Sequence, residues 1–382
     1  MKKVLKNSLP IIGVLICSII IIFISKYIFK GGFFTDPYGE AMEYHKGTVV
    51  KILSESINSD NYIDDIEIGN QEVVVRMDDG PYKDNNVKID HTISRYHNYK
   101  AEVGDKVVVG YYPNDTKITM GIYSYNRSNN LYLLAFIFII SVIIIGGIKG
   151  VKSLVALIFT LTCCIFLLIP LMIKGVSPVG TSIFIAILST IVTLLLVSGF
   201  NIKTISAIIG TTLGICISGG LTYIFGNSSN LSGVNISEAE NIFFIAERTG
   251  LKMHGILFAG ILIASLGAIM DVAMSISSSI NEIYSHNSNL SINKLFLSGM
   301  NIGKDIIGTM TNTLILAFTG GSIGVLLLVF SYYMPYIKLI NLDLLGTEIL
   351  QGLTGSIGIV LSVPTTALVS SYLCKKYSKP LK

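Results

Sequence analysis

The chain has 382 residues, of which 51% are hydrophobic and 14% charged, with a net charge of +4 and a mean hydropathy of +0.66. A soluble domain carries about 25% charged residues, so an ordinary soluble protein is excluded, with room for one small aqueous domain. The charge is modest and its lysines gather beside apolar runs, which fits membrane sorting rather than nucleic-acid binding.

The first apolar run covers 8–29 and follows Lys2, Lys3 and Lys6. It is close to the ~20 residues a bilayer needs. No A-x-A site follows it, so an uncleaved anchor with its N-terminus inside is expected. Residues 31–128 then change character. "GTVVKIL" (47–53), "QEVVVRM" (71–77), "VKIDHTI" (87–93), "DKVVVGYY" (105–112) and "KITMGIYSY" (117–125) are short β-branched and aromatic runs separated by turn residues. They predict a small five- or six-strand β-barrel of OB or SH3-like type.

Further apolar runs near 130–148, 151–173, 178–200, 203–226, 253–280, 305–334 and 344–373 follow. With the anchor they make about eight spans, several long enough to tilt or break. Lys149, Lys152, Lys203, Lys294 and Lys304 fall on the same side as both basic termini. The positive-inside rule then puts both termini in the cytoplasm and the β-domain outside a plasma membrane. The expected organisation is an anchor (1–30), an extracytoplasmic β-domain (31–128) and a seven-helix transmembrane domain (129–382). "SEAENIFFIAERTG" (237–250) reads as an interfacial helix, opened by a capping box of Ser237 and Glu240. The inner loop 287–305 reads as a second short amphipathic helix.

Cys17, Cys163, Cys164, Cys216 and Cys374 lie in or beside spans, with no CxxC and no zinc spacing. No metal or cofactor is expected. The chemistry sits instead in polar residues inside spans. In "SLGAIMDVAMSISSSINEI" (265–283), Asp271, Ser275, Ser278 and Glu282 share one helix face. Asp305, Thr309, Asn312 and Thr313 make a similar row in the next span, and the two rows are expected to face each other. Glu348 joins Gly352, Gly355 and Ser356 on a stripe of the last span, which Pro364 should kink. A carboxylate in hydrocarbon costs roughly 2.5–3.5 kcal/mol on insertion scales, so Asp271 is the leading candidate site. Hydroxyl, amide and carboxylate oxygens suit H⁺, Na⁺ or a polar solute.

The stretches 265–283 and "SGMNIGKDIIGTMTNTLILAF" (298–318) resemble the YibE/F family of bacterial multispanning membrane proteins. The layout of anchor, outside β-rich domain and polytopic block is similar as well. The resemblance implies a membrane protein often described as a transporter or permease, and supplies no substrate or catalytic residue. A permease for an unknown small solute or ion is therefore the expected function. The alternative is a membrane scaffold or sensor whose β-domain binds a partner. An intramembrane aspartyl-type hydrolase using Asp271 and Asp305 ranks below both, because no HExxH, GxSxG or nucleotide loop is present. No enzymatic activity is expected, the lipid bilayer and a small solute or coupling ion (H⁺ or Na⁺) are the partners implied, and the oligomeric state is open.

Overall fold

The computed structural model describes residues 2–28, 42–113, 120–231, 236–332 and 334–377. The chain divides into two compact units, Gly31–Ser141 on one hand and Met1–Lys30 with Val142–Lys382 on the other.

In the first unit, β1 (Glu43–Ser59), β2 (Glu67–Met77), β3 (Asn86–Ile93), β4 (Lys106–Tyr111) and β5 (Met120–Tyr125) form one antiparallel sheet. Its order is β3-β2-β1-β4-β5, curled into a half-barrel. Each strand falls on one of the five β-branched runs. Alternate residues Val73, Val75, Val107 and Val109 are completely buried, as a pleated strand with one wet face requires. Register shifts between Val49 and Lys51 and between Ile52 and Ser54 bend β1, which lets it pair with both β2 and β4. Gly47 sits at the crowded end of that bend, where a Cβ would lie 3.2 Å from the Arg76 carbonyl. β1 runs on past residue 53, where its sequence turns polar, because β2 pairs with it as far as Ser59 opposite Glu67.

Two polar contacts tie the loops to this sheet. The buried Gln71 amide imitates a strand partner: its Nε2 donates to the Ala101 carbonyl at 3.1 Å and its Oε1 accepts from the Ala101 N–H at 2.9 Å. The Asp60 carboxylate is buried at the β1–β2 turn and accepts from Arg95 Nε at 2.6 Å and Nη2 at 2.9 Å. It also accepts from the Tyr62 N–H at 2.8 Å. The guanidinium first, and then that backbone N–H, hold the Asp60 carboxyl below its ordinary value of 3.8.

The second unit is helical. It comprises α1 (Lys2–Ile28), the part of α2 (Ser128–Cys163) from Val142 on, α3 (Ile169–Ile173), α4 (Pro178–Ser198), α5 (Ile202–Ser228) and α6 (Ile236–Thr249). It continues with α7 (Ile256–His286), α8 (Ile292–Gly321), α9 (Ile323–Ser331), α10 (Tyr336–Ile340) and α11 (Asp343–Tyr377). Among the described residues, six stretches are long and apolar enough to cross a membrane, and seven if the bent pair α8–α9 is one span. Ser128–Ile173 is counted there as one stretch of 46 residues. It is broken at Gly147 (φ 54, ψ −135), a conformation glycine tolerates. A π-helical turn, Cys164–Leu168, interrupts it again.

One sequence expectation changes here. Residues 287–305 do not form a separate helix: α8 starts at Ile292, capped by Ser291 Oγ accepting from the Lys294 N–H, and continues unbroken to Gly321. The cause is packing, since Gly299 and Gly303 press its first turns onto α7 and α11. Pro364 lies inside α11, which is helical from Asp343 to Tyr377. The capping-box reading of Ser237 and Glu240 falls on side chains outside those described.

The core is a three-helix junction of α5, α7 and α11. Gly210, Gly214, Ser218 and Thr222 recur every fourth residue on α5 and face Thr366, Ser362, Gly358 and Thr354 on α11, so the two helices run antiparallel. Thr222 Oγ1 donates to Thr354 Oγ1 at 3.1 Å. Between them α7 inserts Ile269: a Cβ on Gly214 would lie 2.8 Å from Ile269 Cγ2 and 2.9 Å from Ser362 Cβ. Lipid tails are as apolar as leucine, so this close van der Waals contact, and not hydrophobic exclusion, holds the helices together.

Two outcomes are expected. Gly214→Val should destabilise the helical unit by about 1–3 kcal/mol through overpacking. Gly220→Ala, whose Cβ would meet open space, should not. Thermal unfolding in detergent compares them. In the β-unit the Asp60 contribution is fully present above the ordinary carboxyl pKa of about 3.9. It is lost as pH falls through the depressed folded value. Amide-exchange protection of residues 60–66, corrected for intrinsic rates, should drop on acidification, and Asp60→Asn should remove that pH-dependent step.

Candidate functional site

Asp271 lies at the middle of α7. The helix buries Leu262, Leu266, Ile269, Ile276 and Ile280, and these positions fix its rotation. Gly260, Ala264, Gly267, Asp271 and Ser275 then fall together on the exposed face. That face opens on a cavity of about 420 Å³ between α2, α4 and α7. Ser153 and Thr160 of α2 and Thr193 and Ser198 of α4 line it together with Gly267, Met270, Asp271 and Met274. α4 and α7 run parallel: Pro178 packs on Gly255 at one end, and Ser198 Oγ lies 3.8 Å from Met274 Sδ at the other. No ion pair or hydrogen bond among the described residues engages the Asp271 carboxylate.

The other sequence candidates are dispersed. Ser275 is exposed one turn along α7 and Ser278 is half-buried, and neither lines the cavity. Asp305, Thr309, Asn312 and Thr313 are exposed on α8. Their hydroxyls turn back on their own helix, Thr309 Oγ1 donating to the Ile306 carbonyl at 3.1 Å and Thr313 Oγ1 to the Thr309 carbonyl at 2.9 Å. Glu348 is half-buried beside a separate cavity of about 260 Å³, shared with Thr319 and Ser322 at the α8–α9 bend.

The two polar rows therefore do not face each other. α7 meets α8 through Ile276 and Ile280, which pack on Gly303 and Gly299. Asp271 precedes Ile276 by five residues, which at 100° each is about 140° round the helix. Asp271 and Asp305 consequently share no site, and an aspartyl dyad finds no geometric support. Sequence reasoning followed rows along single helices, so it missed Ser153, Thr160, Thr193 and Ser198, each from a different helix than Asp271. Nothing in their spacing marks them.

One carboxylate surrounded by hydroxyls is a hard-oxygen site of low charge. Among the described residues no three His, Cys, Asp or Glu side chains are grouped to hold a metal ion. The arrangement can take up a proton, coordinate a monovalent cation or hydrogen-bond a polar solute.

Several helices long and apolar enough to cross a membrane mark the chain as a membrane protein. The chain belongs to the YibE/F family: the family model described as YibE/F-like protein matches residues 134–376. The match takes in the cleft, the three-helix junction and α8, and it begins after the β-sheet. No curated protein and no solved structure matches the chain.

Water should reach the cleft. With Cys17 and Cys216 replaced by serine, Thr193→Cys should react with a water-borne methanethiosulfonate about tenfold faster than Leu213→Cys, because the solvated thiolate is the reactive form. Leu213 is exposed on an apolar helix face. Equal rates would show a dry cleft.

Proposed function

We propose that this chain is a plasma-membrane permease that moves a small polar solute or ion, with Asp271 and the hydroxyls around it as the binding and coupling site for H⁺ or Na⁺. One observation carries the reading: a mid-helix carboxylate opens on a cleft whose other polar groups come from two further helices. A carboxylate kept at that depth at a cost of several kcal/mol earns its place by binding. Broken helices are a feature of alternating access, and here the chain breaks at Gly147 and, away from the cleft, at the bend of 62° between α8 and α9.

In this reading 128–173 crosses the bilayer twice, hinged at Gly147, and α8–α9 is one bent span. About eight spans then place both termini in the cytoplasm and the β-domain outside. The antiparallel course of α5 and α11, and of α7 and α8, agrees with that alternation. The half-barrel is the outside OB or SH3-like module, and it serves the permease as an accessory.

The test is flux in proteoliposomes, screened over cations and small polar solutes. Asp271→Asn should reduce flux by about tenfold or more as the charged partner is lost. Its melting temperature should stay within about 2 °C of the parent. If Asp271→Asn leaves flux and cellular phenotype intact while deletion of residues 45–125 abolishes the phenotype, the permease reading falls and the scaffold or sensor reading replaces it.

A further inference from the structure

The outward face of α8 is chemically unlike that of its neighbours. On α4, α5 and α11 the exposed positions carry large apolar groups: Phe184, Ile209, Leu213, Leu353, Ile357 and Leu361. Such faces suit lipid. On α8 the exposed positions include Lys304, Asp305, Gly308, Thr309, Asn312 and Thr313. The polar ones form one stripe, because 305, 309 and 312 recur at helical spacing, and the exposed apolar Leu297, Ile315 and Leu316 flank it. The opposite face is already occupied. Leu295, Gly299, Gly303 and Leu314 are buried, with Gly299 against Ile280 and Ala367 and Gly303 against Val363 and Ile276.

Those same contacts fix the depth of the stripe. They make α8 antiparallel to α7 and to α11, so each step up α8 matches an equal step down its neighbours. Gly299 opposite Ile280 and Gly303 opposite Ile276 place Asp305 level with about residue 274 of α7 and Asn312 level with about residue 267. On α11, Gly303 opposite Val363 places Asp305 level with about residue 361. Both levels are near the centres of helices long enough to cross a bilayer. The stripe is thus not at a headgroup boundary, and Lys304 is not the cytoplasmic loop charge that the sequence suggested. It lies near the middle of the hydrocarbon, where an ionised carboxylate facing lipid is expensive and an exposed amide goes unsatisfied.

We infer that this α8 face is covered by α8 of a second copy of the chain, in a two-fold symmetric dimer whose axis runs along the membrane normal. The argument is self-complementarity. Such an axis brings two parallel copies of α8 together at equal depth, so each residue meets its own level. The Asn312 amide both donates and accepts, and it pairs with an identical amide across the axis. Lys304 and Asp305 are adjacent on the face, so Lys304 of one copy meets Asp305 of the other, twice over, and the charges cancel. Gly308 between these two levels allows the helices to approach closely. The cleft at Asp271 opens from a different face of the unit, so each copy keeps its own.

The experiment uses the full chain in native membranes, with Cys17 and Cys216 replaced by serine. Asn312→Cys should cross-link rapidly into a species of twice the chain mass, while Leu353→Cys, on the apolar face of α11, should not. Photobleaching of single labelled copies in nanodiscs should count two. Asn312→Leu, which keeps the helix and its buried face, should lower the dimer fraction at low density by about tenfold. A count of one would overturn the proposal. So would an Asn312→Cys that resists cross-linking but reacts quickly with an aqueous thiol reagent, since the stripe would then line a water-filled path. Cross-linking to a different protein would overturn it as well.

Discussion

The close approach of α5 to α11 is the contact on which the helical unit depends. In a bilayer no hydrophobic gain drives helices together, so small residues must let backbones touch. Gly210, Gly214, Ser218 and Thr222 meet Thr366, Ser362, Gly358 and Thr354 across four successive turns. The opening between Gly214 and Gly358 is filled by Ile269 of α7, 2.8 Å and 3.1 Å from the Cβ positions those glycines lack. That wedge is one of the buried contacts that set the rotation of α7. It turns Ile276 and Ile280 toward α8 and swings Asp271 round to α2 and α4. The position of the carboxylate is therefore a consequence of glycine packing at a neighbouring level on other helices.

The two units satisfy polar groups by opposite means. In the β-unit water solvates most of them, and buried side chains such as Gln71 and Asp60 are paired, with Ala101 and Arg95. In the helical unit, hydroxyls are spent largely on carbonyls of their own helix, as in Thr190 to Ala186 and Ser265 to Ile261. A few cross between helices, such as Ser277, which donates to the Lys203 carbonyl at 2.6 Å and meets Ser370 at 3.2 Å. Serine and threonine can close such bonds locally, but a carboxylate or an amide cannot. Asp271, Asp305 and Asn312 therefore stand out, and each needs a cavity, an ion or another chain.

The strands were legible because alternation of β-branched residues reports a half-buried sheet directly, and all five runs became strands. Long apolar helices were legible from hydropathy, and one helix face in part from spacing: Asp271, Ser275 and Glu282 are exposed on α7, while Ser278 is half-buried. Less legible was the true start of α8. Its first turns read as an inner loop because their polarity is high, and only the fit of Gly299 and Gly303 against α7 and α11 makes them part of one long helix. The extension of β1 to Ser59 was hidden for a similar reason, since its polar tail is held by the ladder with β2 and not by burial.

By itself the sequence determined the strand set, the apolar helices and the residues that would be costly in a membrane, because burial period and transfer free energy act residue by residue. Which polar residues meet was decided only by tertiary structure. Spacing along one helix gives an angle relative to that helix, but no common origin between helices. That origin comes from where Ile269 and the small residues of α5, α8 and α11 lock together, and this locking separates Asp271 from the α8 row and gives it Ser153, Thr160, Thr193 and Ser198 instead.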